Sequence, residues 1–212
     1  FIQLLMPYGV PNPLDDDGTG EVKTNEDDEA QDESQKPDQL ELVHCMMDAN
    51  FDASVRALQG ETPLHLAAAA GSNWCVSILI SLFGKVAIVD NNLRTPLHYA
   101  VQEDKPQVIA TLVNAGCNMD AKDIDGNAPI HYAASKNAVE CIKMLHSLNA
   151  NINAKNAIGI SIFFFTNRTA LHCAAELGHR DSVEELLDKE ADPNIRDING
   201  VFLFLLIGLR LD

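Results

Sequence analysis

Basic residues are scarce in this chain of 212 residues: 15 Lys and Arg stand against 31 Asp and Glu, for a formal charge of −16. A nucleic-acid surface needs a Lys/Arg surplus to release counterions, and an anionic membrane surface needs the same, so neither is an expected partner. The cysteines exclude a disulfide framework. Cys45, Cys75, Cys117, Cys141 and Cys173 are odd in number, far apart and form no C-x-x-C. They suit a reduced intracellular compartment, the cytoplasm first and the nucleus second. No apolar run reaches the roughly twenty residues of a membrane span. No targeting segment is legible, because Phe1-Ile2-Gln3-Leu4-Leu5 has neither a basic leader nor a full apolar core. The start on Phe1 rather than Met makes a fragment of a longer protein an expectation. Also missing are G-x-S-x-G, G-x-x-x-x-G-K-[ST] and any Cys/His pair at motif spacing. No enzyme, cofactor or metal is therefore expected.

The acidity is concentrated. Residues 15–38 hold eleven carboxylates and two lysines, a net of −9, with almost no bulky apolar group. Such a stretch cannot offset its ordering entropy by burial and is expected to be disordered. A solvated linker is the simplest reading of it. A docking tail for a basic partner, or an acid-directed phosphorylation site at Thr24, is the functional alternative.

What the chain has in quantity is a repeat. Thr62-Pro63-Leu64-His65, Thr95-Pro96-Leu97-His98 and Ala128-Pro129-Ile130-His131 start 33 residues apart, and Thr169-Ala170-Leu171-His172 follows after 41. A fixed period near 33 residues means that each unit is one supersecondary element, which buries its apolar face only against its neighbours. At T-P-L-H-x-A-A the chain resembles the ankyrin-repeat family, over about residues 40–200. The resemblance implies an all-α solenoid of helix–turn–helix repeats joined by short β-hairpin-like turns. It also implies a protein that binds other proteins, without a cofactor, as a monomeric array.

Each unit reads as two helices. In the first, Thr62 N-caps a helix with Pro63 in its opening turn, Ala67–Ala70 continue it and Gly71 ends it. A second helix runs from about Trp74 to Leu82 with Val76, Leu79 and Ile80 on one face. The apolar sets of the later second helices are Val108, Ile109, Leu112 and Val113; Val139, Cys141, Ile142, Met144 and Leu145; and Val183, Leu186 and Leu187. Cys75 and Cys141 share one repeat position, as small buried hydrophobes. Trp74 is expected to pack on the adjacent repeat. Turns carry Asp or Asn with Gly three places on, except Asp90-Asn91-Asn92-Leu93, where Asn92 is expected to take the left-handed conformation.

The expected organisation is an N-terminal segment 1–39, a partial repeat 40–57 and repeats at 57–89, 90–122 and 123–155. A repeat at 156–196 carries an apolar insertion at 160–167, and a truncated unit at 197–212 follows. The insertion, Ile160-Ser161-Ile162-Phe163-Phe164-Phe165-Thr166-Asn167, and the apolar run 201–209 both begin just after the glycine of a turn. One reading makes the insertion an apolar finger for a partner. The blander reading is translated intron sequence at two equivalent exon ends. As a membrane anchor the second run is too short.

His65, His98, His131 and His172 invite a metal reading. Equivalent helices of adjacent repeats stand roughly 8–10 Å apart, however, while zinc ligands lie about 2 Å from one ion. The histidines form a column and not a cage, and each is expected to tie its own helix start to the neighbouring turn. Asp181, Glu184 and Glu185 read as a solvated helix face.

Function is expected in the concave groove that the resemblance implies. Its turns present Gln59, Glu61, Asn92, Arg94, Asp125, Asn127, Ile158 and Arg168. Its first helices present Ala69, Gln102, Glu103, Ser135, Lys136, Glu176 and Leu177. The first reading is a scaffold or adaptor. The competing one is the targeting or regulatory segment of a longer enzyme, ion channel or ubiquitin-ligase subunit. Replacing Arg94 and Asn127 together is expected to weaken partner capture and leave the thermal midpoint unchanged.

Overall fold

The structure is a computed structural model that describes residues 55–156 and 167–197. Expectations for residues 1–54, 157–166 and 198–212 lie outside the described residues. They include the disordered acidic segment, the half-repeat from Leu40, the apolar insertion and the truncated last unit.

Helix starts follow the repeated strings. Four short first helices, α1 (Pro63–Ala70), α3 (Pro96–Gln102), α5 (Pro129–Ser135) and α7 (Ala170–Leu177), alternate with four second helices. These are α2 (Asn73–Phe83), α4 (Pro106–Asn114), α6 (Val139–Ser147) and α8 (Arg180–Asp188). No strand occurs among the described residues. Proline in the first turn costs α1, α3, α4 and α5 no hydrogen bond, because that N–H has no intrahelical partner. At eight residues or fewer, a first helix is too short to persist alone. Each packs on its own second helix, first helices pack in chain order, α1 on α3, α3 on α5 and α5 on α7, and the second helices stack in the same order.

The core repeats in phase. Leu64, Leu97, Ile130 and Leu171 are buried on the first helices, and Leu79, Leu112, Leu145 and Leu186 on the second. Ala67 is half-buried where its counterparts Ala100, Ala133 and Ala174 are fully enclosed, a small-residue row that lets first helices approach closely. The expected apolar sets hold in their centres and fail at their margins. Ile80, Val113, Val139, Met144 and Val183 are half-buried, and Leu187 is 40% exposed. In α8 the fully enclosed position beside Leu186 is Ser182, because Asn137 Oδ1 of the preceding unit accepts from its N–H at 3.1 Å and its hydroxyl at 2.8 Å. Cys75, expected on the apolar side, is only half-buried, whereas Cys141 is enclosed.

First helices end on a left-handed residue at one repeat position, Gly71, Asp104, Asn137 and Gly178. The non-glycine members use their side chains. Asp104 accepts from Cys141 Sγ at 3.4 Å, and Asn137 caps the start of α8.

Candidate functional site

The turns that lead into α3 and α5 are built on one buried carboxylate each. Asp90 Oδ1 accepts from the backbone N–H of Asn92 and of Arg94, both at 2.8 Å, while Asp90 N–H donates to Arg94 O at 3.0 Å. Asp123 repeats the arrangement with Asp125 and Asn127, at 3.0 and 2.7 Å. This frame closes over four residues and requires a positive φ at the third residue after the aspartate. Gly126 meets that requirement with φ 75°; in the first turn Ala57 stands in the aspartate's place, its N–H donates to Glu61 O at 2.8 Å, and Gly60 takes φ 85°. In the second turn it falls on Leu93, φ 60°, and not on Asn92 as the sequence suggests. The Asp90 hydrogen bonds fix the register, so the residue at that place must comply. Leu93 thus pays a backbone cost and is also 48% exposed.

The fourth turn closes the same way over a longer path. Asn156 N–H donates to Arg168 O at 2.9 Å, and Arg168 N–H donates to Asn156 Oδ1 at 2.7 Å, twelve residues on in place of four. Asn156 Nδ2 also reaches Asn127 Oδ1 at 3.1 Å. Successive turns are joined directly, Asn91 N–H to Gln59 O and Ile124 N–H to Asn92 O, each at 2.9 Å.

The second oxygen of each aspartate holds a tyrosine. Tyr99 donates its hydroxyl to Asp90 Oδ2 at 2.9 Å, and Tyr132 donates to Asp123 Oδ2 at 2.7 Å. Arg94 completes the first cluster, with Nε 2.8 Å from Asp90 Oδ2, Nη2 2.9 Å from the Tyr99 hydroxyl and the guanidinium 4.7 Å above the Tyr99 ring. Burial opposes ionisation of Asp90. The Arg94 N–H, the Tyr99 hydroxyl and the Arg94 guanidinium outweigh it, and hold the carboxyl below its ordinary range. Burial, then donation to a carboxylate, pushes both tyrosine hydroxyls well above theirs. The sequence reading did not single out Tyr99 and Tyr132. Their signal was there, an aspartate nine residues before the tyrosine in both units that read P-L/I-H-Y.

The histidines tie repeats together. Nδ1 of His65, His98 and His131 accepts the N–H of Thr62, Thr95 and Ala128 at 3.0–3.1 Å, and Nε2 points to the carbonyl of Arg94, Asn127 and Arg168 in the next unit at 3.0–3.1 Å. A nitrogen facing an N–H must carry the lone pair and one facing a carbonyl must carry the proton, so these rings are neutral. Burial lowers all three pKa values against the opposing pull of the carbonyl bond. His172 Nδ1 meets Thr169 N–H in the same way at 3.3 Å. Among the described residues no cluster of three or more His, Cys, Asp and Glu could hold a metal ion.

The sequence-chosen groove residues fall into two groups. Gln59, Glu103, Asp125, Lys136 and Leu177 are exposed. Glu61, Ala69, Asn92, Arg94, Gln102, Asn127, Ser135, Arg168 and Glu176 are half-buried, and Ile158 lies outside the described residues. The structure brings Arg94 to Gln102 at 3.4 Å, and pairs Arg168 with Glu176 and, at 4.0 Å, with Asp197. Asn127 is held through its backbone and its side chain. Arg94 is thus part of the frame, which corrects the expectation that its loss leaves the thermal midpoint unchanged.

A family model described as ankyrin repeats, in three copies, matches residues 33–123 and again 112–197. A search of curated proteins gave no match. No helix among the described residues is long and apolar enough to cross a membrane. Ankyrin repeats are in general protein–protein interaction modules, and their fold is typically non-catalytic. With the stacked helix pairs, the carboxylate-held turns and the histidine column all in phase, the chain belongs to the ankyrin-repeat family.

Proposed function

We propose that this array is a scaffold or adaptor that holds a partner protein along the face made by its turn tips and first-helix ends. The observation that carries the proposal is the contrast within each unit. The buried frame of His and Leu or Ile recurs from repeat to repeat, while the exposed residues at one repeat position, Glu103, Lys136 and Leu177, are acidic, basic and apolar in turn. A frame that repeats beneath a surface that does not is what recognition of one partner requires. The array acts as a monomer inside the cell, and its work needs no cofactor.

The test is affinity capture from cell lysate with the full chain and with a Glu103→Ala, Asp125→Ala, Lys136→Ala triple variant. None of the three side chains belongs to the buried frame, so the thermal midpoint should hold while a specific partner is lost. An identical set of captured proteins from both would place binding elsewhere.

A further inference from the structure

One exposed residue per repeat precedes the left-handed residue that ends each first helix: Ala70, Glu103, Lys136 and Leu177. In the two middle units the left-handed residue turns its own side chain to the next repeat, Asp104 to Cys141 and Asn137 to Ser182. Among the described residues Glu103 and Lys136 are left outside that inter-repeat bonding, and Glu103 accepts from the adjacent Gln102 at 3.3 Å. Read along the array, the column is small, acidic, basic, apolar.

Its spacing selects a conformation. Contacting first helices stand about 8–10 Å apart, so an occupant must present side chains on one face at that interval. A β-strand offers about 6.6 Å between residues on one face. A polyproline II segment, with three residues per turn and about 3.1 Å of rise, offers about 9.3 Å with every third residue on the same face. Such a segment has no internal hydrogen bonds, so its peptide groups need outside partners. Water supplies them, because Gln102 and Glu176, each one residue before the column, are already bonded to Arg94 and Arg168.

We infer that the partner segment is an extended, polyproline II-like stretch with a basic, an acidic and an apolar residue at successive third positions, facing Glu103, Lys136 and Leu177. The inference rests on the proposed binding face and names what that face reads.

The test uses fluorescein-labelled synthetic peptides with a proline-rich host sequence, read by anisotropy against the full chain. One set carries Arg, Glu and Leu at every third position and others at every second, both in forward and reverse order. A helix-forming host with the residues at every seventh position, about 10.5 Å apart, tests a helical occupant. Third-position spacing should bind tightest. The Glu103→Lys, Lys136→Glu double variant should then prefer the peptide with Arg and Glu exchanged by about tenfold, the weight of two exposed charge pairs reversed. Equal binding across spacings, tighter binding of the every-seventh series, no binding, or a double variant without a changed preference each overturns it. If the triple variant loses its cellular partner while the peptides show no such preference, the binding face stands and this inference falls.

Discussion

Leu93 offers a measurement of what the turn frame imposes. Its φ of 60° is set by the Asp90 bonds to Asn92, Leu93 and Arg94, at a position where two other turns use glycine. An L-residue there costs roughly 1–2 kcal/mol, which glycine avoids. Replacing Leu93 by Gly alone mixes that gain with lost side-chain contacts, so Leu93→Ala is the reference. Alanine removes the same side chain but keeps the Cβ. At an ordinary position glycine is the less stable of the two by about 0.5–1 kcal/mol. At Leu93 the order should reverse, with the glycine variant more stable by about 1 kcal/mol, or roughly 2–4 °C in thermal midpoint for a chain of this size. Urea unfolding followed by far-ultraviolet circular dichroism reads it, with equal slopes for both variants showing that stability alone has changed. Gly60→Ala is the converse test. Its Cβ would stand 2.5 Å from Asn91 Oδ1 and 2.9 Å from the Asn91 backbone nitrogen, at φ 85°, so it should destabilise. An alanine at position 93 as stable as glycine would refute the argument that the frame, and not the residue, dictates the turn.

Three further outcomes are expected. Leu112→Ala or Leu145→Ala, each at a fully enclosed site, should cost about 2–5 kcal/mol by chemical denaturation, and a neutral result would contradict the packing. Deleting residues 160–167 shortens the path between the bonded residues Asn156 and Arg168 from twelve steps to four. The lower closure entropy should raise stability by about 1 kcal/mol, and an unfolded product would show that the deleted residues support the array. The neutral histidines make stability depend on pH. Their folded pKa values lie below the ordinary 6.5, so the unfolded chain binds more protons below that point. Their contribution is complete above about 6.5 and falls as pH drops, by up to about 1.4 kcal/mol per unit for each histidine. Asp90 adds its own loss only below its ordinary 3.8. Urea midpoints unchanged between about pH 7.5 and 5.5 would refute the assignment.

Much of the frame was legible because it closes over short distances in the chain. Thr62-Pro63-Leu64-His65 sets a helix start, the acceptor for its first N–H and the buried leucine within four residues, and the period carries the same solution to Thr95, Ala128 and Thr169. The column arrangement of the histidines followed from the period as well. Surface chemistry was less legible. Arg94 and Lys136 look alike in sequence, yet Arg94 is fastened to Asp90, Tyr99 and Gln102 while Lys136 stays exposed. Ser182 is fully enclosed with its hydroxyl bonded to Asn137, 45 residues away, a partner that no local pattern announces.

The sequence by itself determined the repeat, the helix starts and the central core positions, since each depends on neighbours within one turn or one period. Only the tertiary structure decided that Leu93 and not Asn92 bends the second turn, and which charged side chains remain available to a partner. Those answers depend on hydrogen bonds that exist only once the repeats are stacked, when burial makes an unpaired carboxylate or N–H too costly to leave.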